Sequence, residues 1–380
     1  MARKPYWLGL LLLAAATPVL AQIAISANDG KQRTADAKGE PLTADSIAVL
    51  NLAAPVRVLA QLHAPASMIG PPAAVALARD SSFAIVTAAQ ELDASGTLAP
   101  ADIVTVLDLT NPSQPTVAQT LHAGKGASGV AINPAGTLAL VACAGEDSVT
   151  VFSISQRRLS AIGTVSLAPK SKPLDVAFSA DHRSAYVVAQ GAGALVRLTV
   201  DGQKVAVAES IAVGLQPYSM ALDKQVAYVT NLGGRGPAAT AGPVTGTIAI
   251  VDLRAGRMVD QIDVGVTPEH VALSPSGRYL EATLINGSNA STASPTHHDH
   301  GTMVIFRTRG MKLEPVTQTE TGAWCQGATW SDDEKRVLLQ CAARKQIEVY
   351  GFDGKTLTAD IDATLQFDAR PGAIATARSR

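Results

Sequence analysis

The chain repeats one pattern six times. Aligned on a first apolar run, the units read PAAVALARDSSFAIVTAAQ from Pro72, ASGVAINPAGTLALVACAG from Ala127 and PLDVAFSADHRSAYVVAQG from Pro173. They continue as PYSMALDKQVAYVTNLGG from Pro217, PEHVALSPSGRYLEATLING from Pro268 and CQGATWSDDEKRVLLQCAA from Cys325. Each unit holds two short runs rich in Val, Ala, Leu or Tyr around an Asp-, Pro- or Gly-containing turn, the chemistry of a β-hairpin. A third run follows, as in SVTVFSI, GALVRLTV, GTIAIVDL, TMVIFRT and QIEVYGF, and then a fourth, such as RMVDQIDVG. One four-stranded antiparallel sheet of this size cannot bury both its faces, so the copies must stack against one another.

The ends of the chain complete the count. PGAIAT from Pro371 repeats the first run only, while IAISANDG from Ile23, SIAVLNL from Ser46 and VRVLAQL from Val56 match the second, third and fourth. The expected fold is therefore all-β: a seven-bladed β-propeller whose ring is closed by one C-terminal strand and three N-terminal strands. Residues 22–380 form that single domain, and sharing a blade between the two ends leaves no sheet edge to aggregate.

Tyr228-Val229-Thr230-Asn231, the Ser274–Gly277 turn and the Val251–Leu253 third strand together resemble the YVTN-type β-propeller repeat family. The resemblance spans nearly all of residues 22–380. It implies the propeller fold, on which binding proteins, lactonases and electron-transfer enzymes all occur, so function has to be read from the site.

In a propeller the first strand lines the central channel, and the loop leading into it shares a face with the connection between strands two and three. That connection is enlarged at Gln90–Asp102, Leu232–Thr245 and Asn286–Gly301, and the N-terminal copy adds Asn28–Asp45. Four long loops on one rim are expected to crowd one mouth of the channel, and loops on a rigid scaffold are where function usually sits.

Residues 1–21 carry Arg3 and Lys4, an apolar run from Trp7 to Ala16 and then Val19-Leu20-Ala21, the layout of a secretory signal peptide. A periplasmic or secreted protein with no integral membrane segment is expected. The formal charge of −1, which becomes −3 without those residues, offers nothing to a nucleic-acid backbone. The aromatic share of 4% argues against broad stacking surfaces for sugars or bases.

Candidate chemistry concentrates near the looped mouth. His297, His298, Asp299 and His300 stand in succession in one loop. Imidazole donors suit Zn, Cu or Ni, and His270, His298 and His300 make the candidate metal set, with His63 and His122 on other loops that lead into first strands. Tyr218, Arg235, Glu269, His270 and Trp324 are the candidate ligand-binding residues, with Glu269-His270 as a possible acid–base pair. The alternative for each is structural: a solvated His-rich loop, or polar residues capping the start of a blade.

The cysteines separate by register. A hairpin centred on Asp333 that pairs Trp330 with Arg336 also sets Cys325 opposite Cys341, within disulfide reach in an oxidising compartment. Cys143 faces Ala127 in its own copy and is expected to be a buried free thiol. The sequence holds no haem-attachment, phosphate-loop, zinc-protease or nucleophile-elbow motif. The expected function is accordingly a monomeric binding module, taking a protein or small-molecule ligand at the looped face without turnover. The alternative is a metal-dependent or lactonase-like enzyme with a His-rich site at that mouth.

Overall fold

The computed structural model of the protein describes residues 22–37, 39–233 and 244–377. These form seven antiparallel sheets arranged as the blades of a propeller. The innermost strands of the first six blades are Val75–Leu77, Ala127–Ile132, Pro173–Phe178, Pro217–Leu222, Pro268–Leu273 and Cys325–Trp330. Each pairs with the following strand, and three further strands or fewer complete the sheet outward. The sixth blade is five-stranded, because its outer edge is split into Leu357–Ala359 and Leu365–Gln366 around the short 3-10 turn Ile361–Ala363. Core side chains lie between blades: Met220, Val229 and Ala249 of the fourth pack on Tyr186, Val188 and Leu195 of the third. Small and β-branched residues dominate these contacts, which lets neighbouring sheets approach closely.

The seventh blade joins both ends of the chain, as the repeat count requires. Arg370–Thr376 is its inner strand, and Ile23–Asp29, Ser46–Asn51 and Arg57–Leu62 follow outward. Ser26 lies opposite Ile374. Arg370 fastens this seam. Only 2% exposed, it donates from Nε to the Gln32 carbonyl at 3.0 Å and from Nη1 to the carbonyls of Ala342 and Ala343 at 2.7 and 3.1 Å. Its Nη2 meets the Glu40 carboxylate, whose other oxygen holds Lys345 at 2.6 Å. The guanidinium thus ties the sixth blade to the loop between the second and third strands of the seventh.

Cys325 and Cys341 form the expected disulfide, although the register that suggested it is only half right. Trp330 pairs with Val337 instead of Arg336, and a bulge between Cys325 and Ala328 absorbs the one-residue offset before the cysteines meet. Cys143 lies opposite Ala127 as a buried free thiol, and burial pushes its pKa up.

Two outcomes follow. Under denaturing, non-reducing conditions thiol titration should find one reactive cysteine per chain, rising to three after reduction; three without reductant would remove the disulfide. Arg370→Ala leaves Glu40 and three carbonyls without their buried donor, so chemical denaturation should show a loss of about 3 kcal/mol.

Candidate active site

The loops leading into the inner strands repeat one backbone device. The last residue before the strand is left-handed: Gly126 (φ 70°), Lys172 (47°), Gln216 (53°), Thr267 (55°) and Trp324 (52°). In each of these blades its carbonyl accepts a hydrogen bond from the residue just after the second strand, as from Ala342 N to Trp324 O at 2.8 Å. The strand then bulges after its first residue, between Ala127 and Val130, Pro173 and Asp175, Pro217 and Met220, Pro268 and His270, and Cys325 and Ala328. A bulge re-aims the extra side chain. Here Ser128, Leu174, Tyr218, Glu269 and Gln326 all line one cavity of about 470 Å³ at the channel mouth. Positive φ at Thr267 and Trp324, one β-branched and one bulky, is strained backbone, which tends to persist at functional sites.

The enlarged segments rise from this rim, each between the second and third strands of its blade, although Gln90–Asp102 is mostly an extended hairpin in which Phe83–Leu92 pairs with Leu98–Asp108, and only the two ends of Leu232–Thr245 are described. Gln90 and Pro100 from the first blade and Asn289 from the fifth reach the cavity. The loops also brace one another. Asp36 of the N-terminal loop accepts from the Ser291 hydroxyl and from Thr292 N (2.8 Å), and Gln32 donates to Gln90 at 3.1 Å. Below them Lys31 is buried against Asp45 (2.5 Å) and Asp29 (3.3 Å), and Asp29 accepts from the backbone of Met68 on the cavity wall.

Glu269 is the chemically distinctive group. It is 8% exposed and accepts one hydrogen bond, from Gln326 Nε2 at 2.9 Å. Burial raises its carboxyl to about 7, with the Gln326 bond opposing the shift. Tyr218 lines the same cavity, and burial together with the Glu269 charge pushes its phenol well above its ordinary value. The mouth therefore sets a carboxyl that titrates near neutrality beside a phenol that stays protonated.

The other anticipated residues scatter. His270 is buried on the far side of its strand: Nε2 lies 3.1 Å from the Ala328 carbonyl, so it carries the proton, and Nδ1 lies 3.3 Å from Ser219 Oγ. It faces a second cavity, of about 340 Å³, shared with the hairpin turns of the opposite mouth, and so does not work with Glu269 as a pair in one cavity. His298 is exposed, and His300 contacts the Thr321 carbonyl at 3.2 Å. His297 bonds Ala290 O at 3.1 Å and Asp299 at 3.2 Å, bracing its own loop. His63 and His122 contact Asp45 O and Asp102. The structure does not gather the Zn, Cu or Ni set of His270, His298 and His300. Among the described residues the one close triple of metal-type donors is Cys325, Cys341 and Glu348, and its sulfurs are joined to each other. The reason is physical: His270 is turned inward by the bulge at Glu269, His300 is engaged by the Thr321 carbonyl, and His298 stands exposed. Trp324 lines the cavity, while Arg235 lies outside the described residues. Ser128 and Gln326 were not singled out from sequence; their shared place one residue into the inner strand was the available signal.

Residues 87–360 match the family described as "Lactonase, 7-bladed beta-propeller". No curated protein sequence matches the chain. Among solved structures, a "putative 6-phosphogluconolactonase" from Bacteroides uniformis is similar at 15% identity and a TM-score of 0.71, over 94% of this chain and 99% of that one. A functionally unknown protein from Desulfotomaculum acetoxidans (14%, TM-score 0.67, 94% and 99%) and a "hypothetical selenium-binding protein" from Sulfolobus tokodaii (11%, TM-score 0.66, 94% and 94%) are comparable. At such identities the likeness is one of fold. The family match overturns the expectation of a binding module without turnover and favours the lactonase-like alternative.

A second buried carboxyl, Glu281, bonds Thr283 at 2.5 Å, leaves Oε2 without a partner, and is raised by burial to about 8. Its pKa is about 4.5 when unfolded, so between roughly pH 4.5 and 8 the unfolded chain loses a proton that the folded chain keeps, and stability falls as pH rises. Glu269 acts in the same sense up to about pH 7. Urea midpoints should therefore be lower at pH 8.5 than at pH 5, and Glu281→Gln should remove much of that difference. An unchanged pH dependence in the variant would show that Glu281 is not the group responsible.

Proposed function

Because the chain belongs to the lactonase family of seven-bladed β-propellers, we propose that it is a lactone hydrolase working at the looped mouth of the channel, with Glu269 as general base. The observation that carries this reading is a buried carboxyl of pKa about 7 on the wall of that cavity, beside the Tyr218 phenol. Above its pKa the Glu269 carboxylate takes a proton from a water molecule as the water oxygen adds to the lactone carbonyl carbon. The ring C–O bond then breaks, and the proton passes from Glu269 to the departing ring oxygen, giving an open hydroxy acid. Gln326 Nε2–H holds the carboxylate in place, and the Tyr218 hydroxyl is a donor available to developing negative charge. Nothing is oxidised or reduced.

The finer features belong to the same proposal. The protein is a YVTN-repeat propeller, supported by the motif in the fourth blade: Thr230 Oγ1 accepts from Ser219 N, and Asn231 donates to Val213 O and contacts Thr247. It works outside the cytoplasm, supported by the Cys325–Cys341 disulfide and by the pattern of residues 1–21, which lie outside the described residues. No described helix is long and apolar enough to cross a membrane.

A general base of this kind makes kcat/KM rise with pH and level off above about 7, after subtraction of spontaneous lactone hydrolysis. Glu269→Gln should lower kcat by about 10²- to 10⁴-fold. A variant with wild-type rate would sink the assignment.

A further inference from the structure

Two polar atoms at the mouth lack partners. Ser128 Oγ and Gln326 Oε1 belong to side chains each 4% exposed, and neither has a hydrogen-bond partner among the described residues. Both residues occupy equivalent bulge positions, in the second and sixth blades, and line the cavity from well-separated parts of the ring. A buried polar atom left unpaired costs about 1–3 kcal/mol. The amide oxygen can only accept, while the hydroxyl can do either. A ligand carrying several hydroxyl groups supplies what both lack.

The rest of the lining agrees. Among the described residues Lys172, an exposed side chain, is the one cation lining this cavity, and the Glu269 carboxylate would oppose a doubly charged phosphate held beside it. Trp324 and Tyr218 line it too. The chain has few aromatics, but two of them stand at the mouth, so the compositional argument against sugars fails locally. Aromatic rings of this kind present apolar faces that suit the C–H surface of a sugar ring. A purely alkyl lactone would fill the cavity and leave Ser128 and Gln326 unsatisfied.

We propose that the looped mouth takes a neutral polyhydroxylated lactone, an aldonolactone without phosphate, held by Ser128 Oγ and Gln326 Oε1 against Trp324. The proposal rests on the hydrolase reading and narrows its substrate class. Initial rates on δ-gluconolactone, 6-phosphogluconolactone and an alkyl-substituted δ-lactone test it in the full-length protein. The expected result is kcat/KM at least about tenfold higher for δ-gluconolactone than for either competitor. Ser128→Ala should raise KM several-fold for δ-gluconolactone and leave the alkyl lactone unaffected, a split that general damage to the fold would not produce. A Glu269-dependent preference for the phosphorylated or alkyl substrate overturns the substrate class and keeps the hydrolase. If none of the three is hydrolysed in a Glu269-dependent way, the hydrolase reading fails, and titration calorimetry with δ-gluconolactam decides the rest. Binding that Ser128→Ala weakens supports the ligand class; no binding overturns it.

Discussion

The structure depends on a seam between the two ends of the chain. Six blades stacked in an arc would present two open flanks, each an unpaired apolar sheet face; the seventh blade covers both because one strand comes from the C-terminus and three from the N-terminus. Burial of apolar surface drives that closure without specifying its register. Arg370 does, since its donors must all find acceptors once the guanidinium is buried, and the partners at Gln32, Glu40, Ala342 and Ala343 coexist in one alignment of the ends. The same contact holds the N-terminal loop over the channel, from where Asp36 reaches the loop of the fifth blade. Closing the ring and covering the mouth are thus one event.

The site is a product of repetition. A left-handed residue, one strand residue and a bulge recur around the ring, so the side chain of the bulge is delivered to the channel mouth in blade after blade. Chemistry then reduces to which residue occupies that position: Ser128, Leu174, Tyr218, Glu269 or Gln326. No contiguous motif is needed, because the ring collects one residue from each of several distant segments. That is why a chain without a known catalytic signature can still belong to a family of lactonases.

The loop histidines show the converse. Four successive metal-type donors attract attention in a sequence, but consecutive residues diverge in direction, and His297 and His300 have backbone carbonyls within reach. Glu269, one acidic residue among 32, was marked in the sequence only by its place at the channel mouth beside His270. Its raised pKa arises from burial, which raises the energy of its charged form, with an opposing hydrogen bond from Gln326, which lies 57 residues away in the chain.

Periodicity alone determined the number of blades, the sharing of the last one between the two ends and the rim from which the long loops rise. All of these follow from counting strands, whose alternation and turns are local properties. The bulge that rescued the cysteine register, the inward turn of His270, and the meeting of Ser128, Tyr218, Glu269 and Gln326 in one cavity were decided only by the closed ring. Those features depend on distances between residues remote in the chain and on the exclusion of water from between them, and neither quantity exists until the blades are packed.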